Sequence, residues 1–211
     1  METKVAFILK ELDILFPDAK CELNHKNPFE LICAVLLSAQ TTDERVNIVT
    51  PELFKTYPTA FDLAKAELKD VERIIKSIGL YHNKAKNLIL MAEDLCTLHH
   101  GEVPNNRKAL ESLAGVGRKT ANVVLSVAFD VPALAVDTHV SRVSKRLGLA
   151  KYDDDVLQIE KKLMRKIDRN LWNHTHHSFI FFGRYLCKAK NPECDRCPFT
   201  DFCKKDKEKH K

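Results

Sequence analysis

The chain has 211 residues, 45% of them hydrophobic, a formal net charge of +5 and only six glycines, which marks a globular protein with enough apolar material for one large core or two smaller ones. No charge-free apolar run approaches the ~20 residues that span a bilayer, and the amino terminus METKVAFILKELDILF carries charges through its apolar pattern without a cleavage site. A soluble, cytoplasmic protein with no membrane partner is therefore expected.

Apolar residues recur at helical rather than alternating spacing nearly everywhere, so an all-α fold without strands is predicted. Val5 to Phe16 is the first helix. Asn27-Pro28-Phe29-Glu30 supplies an N-cap, Pro at the first position and Glu at the third, opening a run from Phe29 to Leu37 that is apolar nearly all round and so central and buried. Thr41-Thr42-Asp43-Glu44 reads as a second capping box, which starts another helix almost at once and leaves Ser38, Ala39 and Gln40 at a tight corner from which Gln40 projects. Further helices are expected over Ala60 to Ala66, Lys69 to Ile78 with Gly79 as its C-cap, Lys84 to Leu98, Arg107 to Leu113 and Arg118 to Phe129. After Pro132 come Thr138 to Leu147, Asp154 to Ile167 and Asn173 to Cys187. With no repeat or low-complexity linker, a compact bundle or two helical lobes results.

The last helix runs into Cys187, Cys194, Cys197 and Cys203, four of the seven cysteines, spaced C-x6-C-x2-C-x5-C within the last 25 residues. Four soft thiolates suit either a 4Fe-4S cluster or a tetrahedral zinc ion. Only Cys194 and Cys197 form the close pair usual in zinc ribbons, and the spacing is neither common ferredoxin pattern; a disulfide pair is the remaining option. Cys21, Cys33 and Cys96 fit reduced structural thiols. From Arg184 to Lys211 there are nine Lys and Arg against five Asp and Glu, a surplus of four that points to a polyanionic partner, although the closing KKDKEKHK reads as a solvated terminus.

In Leu113-Ala114-Gly115-Val116-Gly117-Arg118-Lys119-Thr120-Ala121 two glycines separate one helix from the next. The amides of Gly115, Gly117 and the following turn would face an anion at a helix N-terminus, without the strand or spacing of a dinucleotide fingerprint or Walker loop. A plain helix-turn-helix connection has the same pattern. Lys119 lies in the first turn, where the macrodipole and Arg118 disfavour a cation and so favour a nucleophilic amine, though a lysine beside a glycine loop equally serves as a phosphate contact. Asp137, in Val-Asp-Thr-His-Val, offers a proton acceptor and is also a natural N-cap. His139 reads as a satisfied histidine and Glu111 as a weaker second carboxylate.

LAGVGRKTANVV, AVDTHVSRV and the terminal cysteines together resemble the endonuclease III family of iron-sulfur DNA glycosylases with abasic-site lyase activity, as do Phe29 to Asp43 and IGLYHNKAKN at Ile78 to Asn87, over essentially the full chain. The resemblance implies a two-lobed helix-hairpin-helix fold, with residues 22–132 as a helical-barrel lobe, residues 1–21 and 133–211 as a cluster lobe, and DNA across the cleft. It implies Lys119 as catalytic lysine, Asp137 as catalytic aspartate, and a 4Fe-4S cluster on Cys187, Cys194, Cys197 and Cys203. Gln40 and Leu80 resemble the family's inserting residues, Gly115 and Gly117 would hold a phosphate, and Arg184, Lys188, Lys190 and Arg196 would face DNA phosphates. The implied partner is double-stranded DNA carrying damaged pyrimidines or abasic sites, bound by a monomer. Ala114 departs from the family's usual Pro, which predicts a slightly looser hairpin. The adenine-mismatch branch lacks a lysine at the nucleophile position and adds a C-terminal domain. A non-enzymatic helix-hairpin-helix DNA-binding module or an iron-sulfur electron carrier would leave unexplained why Lys119 and Asp137 both match the family.

Overall fold

A computed structural model describes residues 3–205. It divides the chain into two compact units, Glu22–Asp130 and a second made of Met1–Cys21 with Val131–Lys211. Most of the closing KKDKEKHK lies outside the described residues, within which every regular element is helical. In chain order the α-helices are α1 (Lys4–Leu15), α2 (Pro28–Leu37), α3 (Asp43–Thr56), α4 (Ala60–Leu63), α5 (Leu68–Ile74), α6 (Tyr81–His99), α7 (Arg107–Glu111), α8 (Arg118–Phe129), α9 (Thr138–Arg146), α10 (Val156–Lys166) and α11 (Trp172–Phe181).

In the unit 22–130, α2 is the axis. Asn27 Oδ1 accepts the Glu30 amide at 2.9 Å, Pro28 takes the first position, and the Glu30 carboxylate accepts the Lys26 amide at 2.7 Å. Phe29 through Leu37 are all buried, because a helix without a polar stripe has no face to give to water. Helices α3, α6 and α8 pack on it, α4 and α5 pack on α6, and α7 packs on α8.

Three local expectations are corrected. The cap of α3 is Thr42, which accepts the Arg45 amide at 3.3 Å, whereas Thr41 turns back into the corner and donates to Ala39 O at 3.4 Å. Gly79 closes no helix: α5 ends at Ile74, and the left-handed residue is Leu80 (φ 60°), the N-cap of α6, so that helix begins at Tyr81 rather than Lys84. The cap of α10 is Asp155, in a reciprocal box with Gln158, while Asp154 accepts from the Lys151 amide and the Lys162 ammonium, both at 2.6 Å. Contacts of Thr41 with Ala39 and Lys84, and of Asp154 with Lys151 and Lys162, leave the cap in those two cases to the next residue of similar chemistry.

In the second unit, Ile8 and Leu12 of α1, Val140 and Val143 of α9, Ile159 and Leu163 of α10, and Phe179 of α11 close a core. The irregular segment Ala133–Val136 is buried in the same unit, with Asn173 accepting the Ala133 amide at 3.1 Å and His176 Nδ1 bonded to Ala135 O at 2.8 Å. Helix α11 continues as a π-helix over Phe182–Leu186, in which the Cys187 amide reaches back to Phe182 O at 2.7 Å. The expected helix Asn173 to Cys187 is therefore continuous but widened at its end, a form that recurs at functional sites.

His177 of α11 lies half-buried beside His174, itself 3.0 Å from Asp13, and its ring centroid is 4.8 Å from that of His176. Burial, with the His174 charge second, pulls its pKa down to about 4. A histidine in the unfolded chain titrates near 6.5, so folding favours the neutral ring. The associated stability is complete above about pH 6.5 and is lost as pH falls towards 4. Relative to His177→Gln, the protein is expected to lose roughly 2 kcal/mol of unfolding free energy between pH 7 and pH 5. Equal losses in denaturant titrations of the two proteins would refute this.

Candidate active site and metal centre

The hairpin between α7 and α8 is built by backbone turns, Leu113 N to Leu110 O and Val116 N to Leu113 O, both 3.1 Å. Gly115 turns through φ +74°, and a Cβ there would lie 3.0 Å from Asn87 of α6, so both conformation and packing exclude a side chain. Gly117, the N-cap of α8, is extended (φ −92°) and a Cβ on it would meet nothing within 4 Å. No protein atom requires glycine at that position; the open space leaves the backbone of the helix N-terminus accessible to an anion from outside. Lys119 is exposed at the second position of α8. Glu111 reaches Arg118 at 3.9 Å, which draws it into an ion pair beside Lys119.

The departure at Ala114 does not leave the hairpin unbraced. Its N–H, which proline would lack, donates to Asp94 Oδ2 of α6 at 2.9 Å. A hydrogen bond to a charged acceptor replaces ring rigidity, and Asp94→Ala is expected to cost about 1–2 kcal/mol. In an Ala114→Pro background, where no donor remains, the same change should cost under about 0.5 kcal/mol. Equal costs in a thermal-melt double-mutant cycle would show that the contact contributes nothing.

Gln40 (φ 54°) and Leu80 (φ 60°) are both exposed residues in the left-handed region, Leu80 with 59% of its surface open. Holding non-glycine residues there costs on the order of 1 kcal/mol each, and such strain persists where surrounding structure over-determines it. The two turns are neighbours: a Cβ on Gly79 would lie 3.7 Å from Gln40 O.

In the second unit, Asp137 ends the buried segment Ala133–Val136 and caps α9, with Oδ1 accepting the Val140 amide at 2.8 Å. The capping role anticipated as its alternative is real, and it orients a half-buried carboxylate. His139 Nδ1 accepts from Arg142 at 3.2 Å, as a satisfied histidine would.

All four C-terminal cysteines line one cavity of about 260 Å³, together with Arg146, Leu186, Pro192, Glu193, Thr200 and Lys205. Among the described residues no three Cys, His, Asp or Glu side chains converge as ligands of a single ion. Four cysteine side chains around one cavity are a donor set that a polynuclear iron-sulfur cluster can use. None of the seven cysteines is in a disulfide. Burial pushes the Cys187 and Cys197 thiols up, opposed at Cys187 by the Arg146 and Arg142 guanidinium groups and at Cys197 by a backbone hydrogen bond from Phe199.

Sequence reasoning missed the two arginines that shape this loop. Buried Arg146 donates to Cys187 Sγ at 3.4 Å, Lys188 O at 2.9 Å and Ala189 O at 3.5 Å; Arg142 donates to Gly183 O at 2.6 Å and Cys187 O at 3.1 Å. Their spacing of four on one face of α9 was the available signal. From the other side, Phe199 is fully buried, edge-on to Phe182 at 5.3 Å, anchoring the loop in the core for about 2–3 kcal/mol. Of the expected phosphate contacts, Lys188 and Arg196 both pair with Glu193, at 2.7 and 2.9 Å, while Lys190 is exposed and Arg184 half-buried. The two ammonium and guanidinium partners hold the Glu193 carboxyl below its usual range.

No helix among the described residues is long and apolar enough to cross a membrane. Residues 33–169 match the HhH-GPD superfamily of base excision DNA repair proteins, and residues 187–203, bounded by Cys187 and Cys203, match the iron-sulfur binding domain of endonuclease III. The chain is 52% identical to endonuclease III of Bacillus subtilis, over 99% of this chain and 95% of that one, and 45% identical to endonuclease III of Haemophilus influenzae, over 96% and 95%. Its fold is similar, with a TM-score of 0.94 and 53% identity across 100% of both chains, to that of a trapped endonuclease III–DNA covalent intermediate. A thermostable thymine-DNA glycosylase, 23% identical and covered over 97% of each chain, shares the fold with a TM-score of 0.85. Hairpin, cysteine cavity and relatives agree: the chain belongs to the endonuclease III family, the DNA-binding helix-hairpin-helix glycosylases with abasic-site lyase activity and a 4Fe-4S cluster.

Proposed function

We propose that this chain excises oxidised or ring-saturated pyrimidines from duplex DNA and cleaves the resulting abasic site, acting as a monomer on chromosomal DNA in the cytoplasm, with Lys119 as nucleophile and Asp137 as proton acceptor. The observation that carries the reading is the exposed Lys119 amine in the first turn of α8, directly after a two-glycine hairpin whose second glycine no protein atom requires. Amides at that helix end hold a DNA phosphate near the lesion without reading sequence.

A damaged pyrimidine stacks poorly, so turning it out of the duplex costs less than extruding a normal base. Gln40 and Leu80 fill the vacated space, one hydrogen-bonding to the orphaned base and one as an apolar wedge. Asp137 takes a proton from the Lys119 ammonium, and the neutral Nζ attacks C1′. The glycosidic bond breaks and the base leaves with its electron pair, taking a proton from the attacking nitrogen. Opening of the sugar ring at the C1′–O4′ bond, with O4′ taking the proton held by Asp137, leaves a protonated imine between Lys119 and C1′, which acidifies C2′. Loss of a C2′ proton expels the 3′ phosphate by β-elimination, and water then releases the lysine. The Asp137 carboxylate also stabilises cationic character at the sugar.

Cys187, Cys194, Cys197 and Cys203 hold the 4Fe-4S cluster, which when bound supplies a fixed fold for its loop. Arg184, Lys188, Lys190 and Arg196 then meet DNA phosphates, two of them by exchanging Glu193 for a stronger anion.

Borohydride reduction during incubation with a thymine-glycol duplex is the test. The imine is expected to become a stable protein–DNA adduct; an active preparation that releases base yet gives no adduct would overturn the lyase chemistry.

A further inference from the structure

Lys84 is a lysine where the helix pattern calls for an apolar residue, in phase with Leu88, Met91 and Leu95 of α6, and only 5% of its surface is exposed. Its ammonium donates to Leu37 O at 2.9 Å, Ala39 O at 2.6 Å and Thr41 Oγ1 at 2.9 Å. All three acceptors are neutral and lie within five residues of chain, on both sides of the positive-φ Gln40. The Lys84 backbone amide, in turn, donates to the carbonyl of Leu80 at 3.1 Å, in the first turn of the helix Leu80 caps. One side chain thus ties the strained Gln40 corner to the helix that presents strained Leu80. Burial lowers the pKa of this ammonium, so the site retains a cation against its solvation preference where a methionine would pack without that opposition.

We propose that Lys84 is the positioning residue that fixes Gln40 and Leu80 in register as a two-part wedge, so that strand opening at the lesion depends on it although it touches no DNA. The inference rests on the gap-filling reading of Gln40 and Leu80. Their left-handed backbones aim two exposed side chains, and the triple contact from Lys84 holds the aim. A lysine suits this use because its three donors on one atom reach three acceptors that no apolar side chain would restrain.

The test compares single-turnover base release from a thymine-glycol duplex with borohydride trapping on a single-stranded abasic oligonucleotide, which has no partner strand to open. Lys84→Met is expected to slow duplex release roughly 30-fold while changing single-strand trapping less than about twofold. Thr41→Val, which removes one of the three acceptors at a half-buried position, should slow duplex release roughly threefold with the same selectivity, and decides the matter should Lys84→Met fail to fold. Adding Gln40→Ala to Lys84→Met should slow release little further, because the aim is already lost. Parallel losses on both substrates, or multiplicative losses in the double variant, would make Lys84 a stabilising residue only and overturn the proposal. Gln40→Ala and Leu80→Ala are the separate control. If both slow duplex release tenfold or more while Lys84→Met and Thr41→Val leave it unchanged, the positioning role fails alone; if either does not, the two-part gap-filling reading fails and the proposal with it.

Discussion

Lys119→Gln is expected to abolish borohydride trapping and to lower strand cleavage by at least ~10³-fold, while duplex affinity changes less than about threefold. Glutamine keeps much of the side chain's reach and loses only the basic nitrogen, and the phosphate-facing amides of the hairpin belong to the backbone. A non-enzymatic hairpin module predicts the reverse, a variant that binds less and loses no reaction. Asp137 allows a cleaner separation, because its Oδ1 caps α9 through the Val140 amide. Asparagine caps a helix about as well as aspartate, so Asp137→Asn should change stability by under ~0.5 kcal/mol. It cannot accept the proton, and base release should fall by roughly 10²–10⁴-fold. Unchanged release with unchanged melting would leave Asp137 as a cap alone.

Cys197→Ser should lose the cluster, measured as iron content and brown colour, and with it both stability and DNA affinity. The loop has three organisers besides its ligands, Arg142 and Arg146 bonded to Cys187 and the buried Phe199, so the polypeptide around it should collapse partially rather than unfold outright. A loss of roughly 4 kcal/mol would lower the melting temperature by about 10 °C in a chain of this size. If Lys188, Lys190 and Arg196 reach phosphates only from an ordered loop, the salt dependence of binding should flatten by up to two or three contacts' worth. A variant that folds and binds DNA as the parent does but has lost catalysis would refute the architectural role.

Much of the candidate site was legible in the sequence, since its signals are short: two glycines two apart, a lysine two residues on and, further along, an aspartate opening a helix. The cap of α2 and the burial of its whole length were legible for the same reason. Boundaries failed where two chemically similar residues stood side by side, Thr41 and Thr42 or Asp154 and Asp155, because composition does not say which of the pair a distant group will claim. Gly79 failed differently. Glycine is the usual left-handed residue, but here the strained conformation falls on Leu80, which only the surrounding packing enforces.

The sequence by itself determined an all-helical chain, the hairpin with its lysine, and four cysteines set to share a centre, all carried by residues at most sixteen positions apart. These are local properties, governed by helix propensity, capping and ligand count. Only the tertiary structure decided what braces them: Asp94 on the Ala114 amide 20 positions away, Arg146 on Cys187 at 41, and Lys84 on Leu37 at 47. Each is a buried or half-buried polar group whose desolvation must be met by a partner, and the partner is chosen by the path of the chain, which no local pattern records.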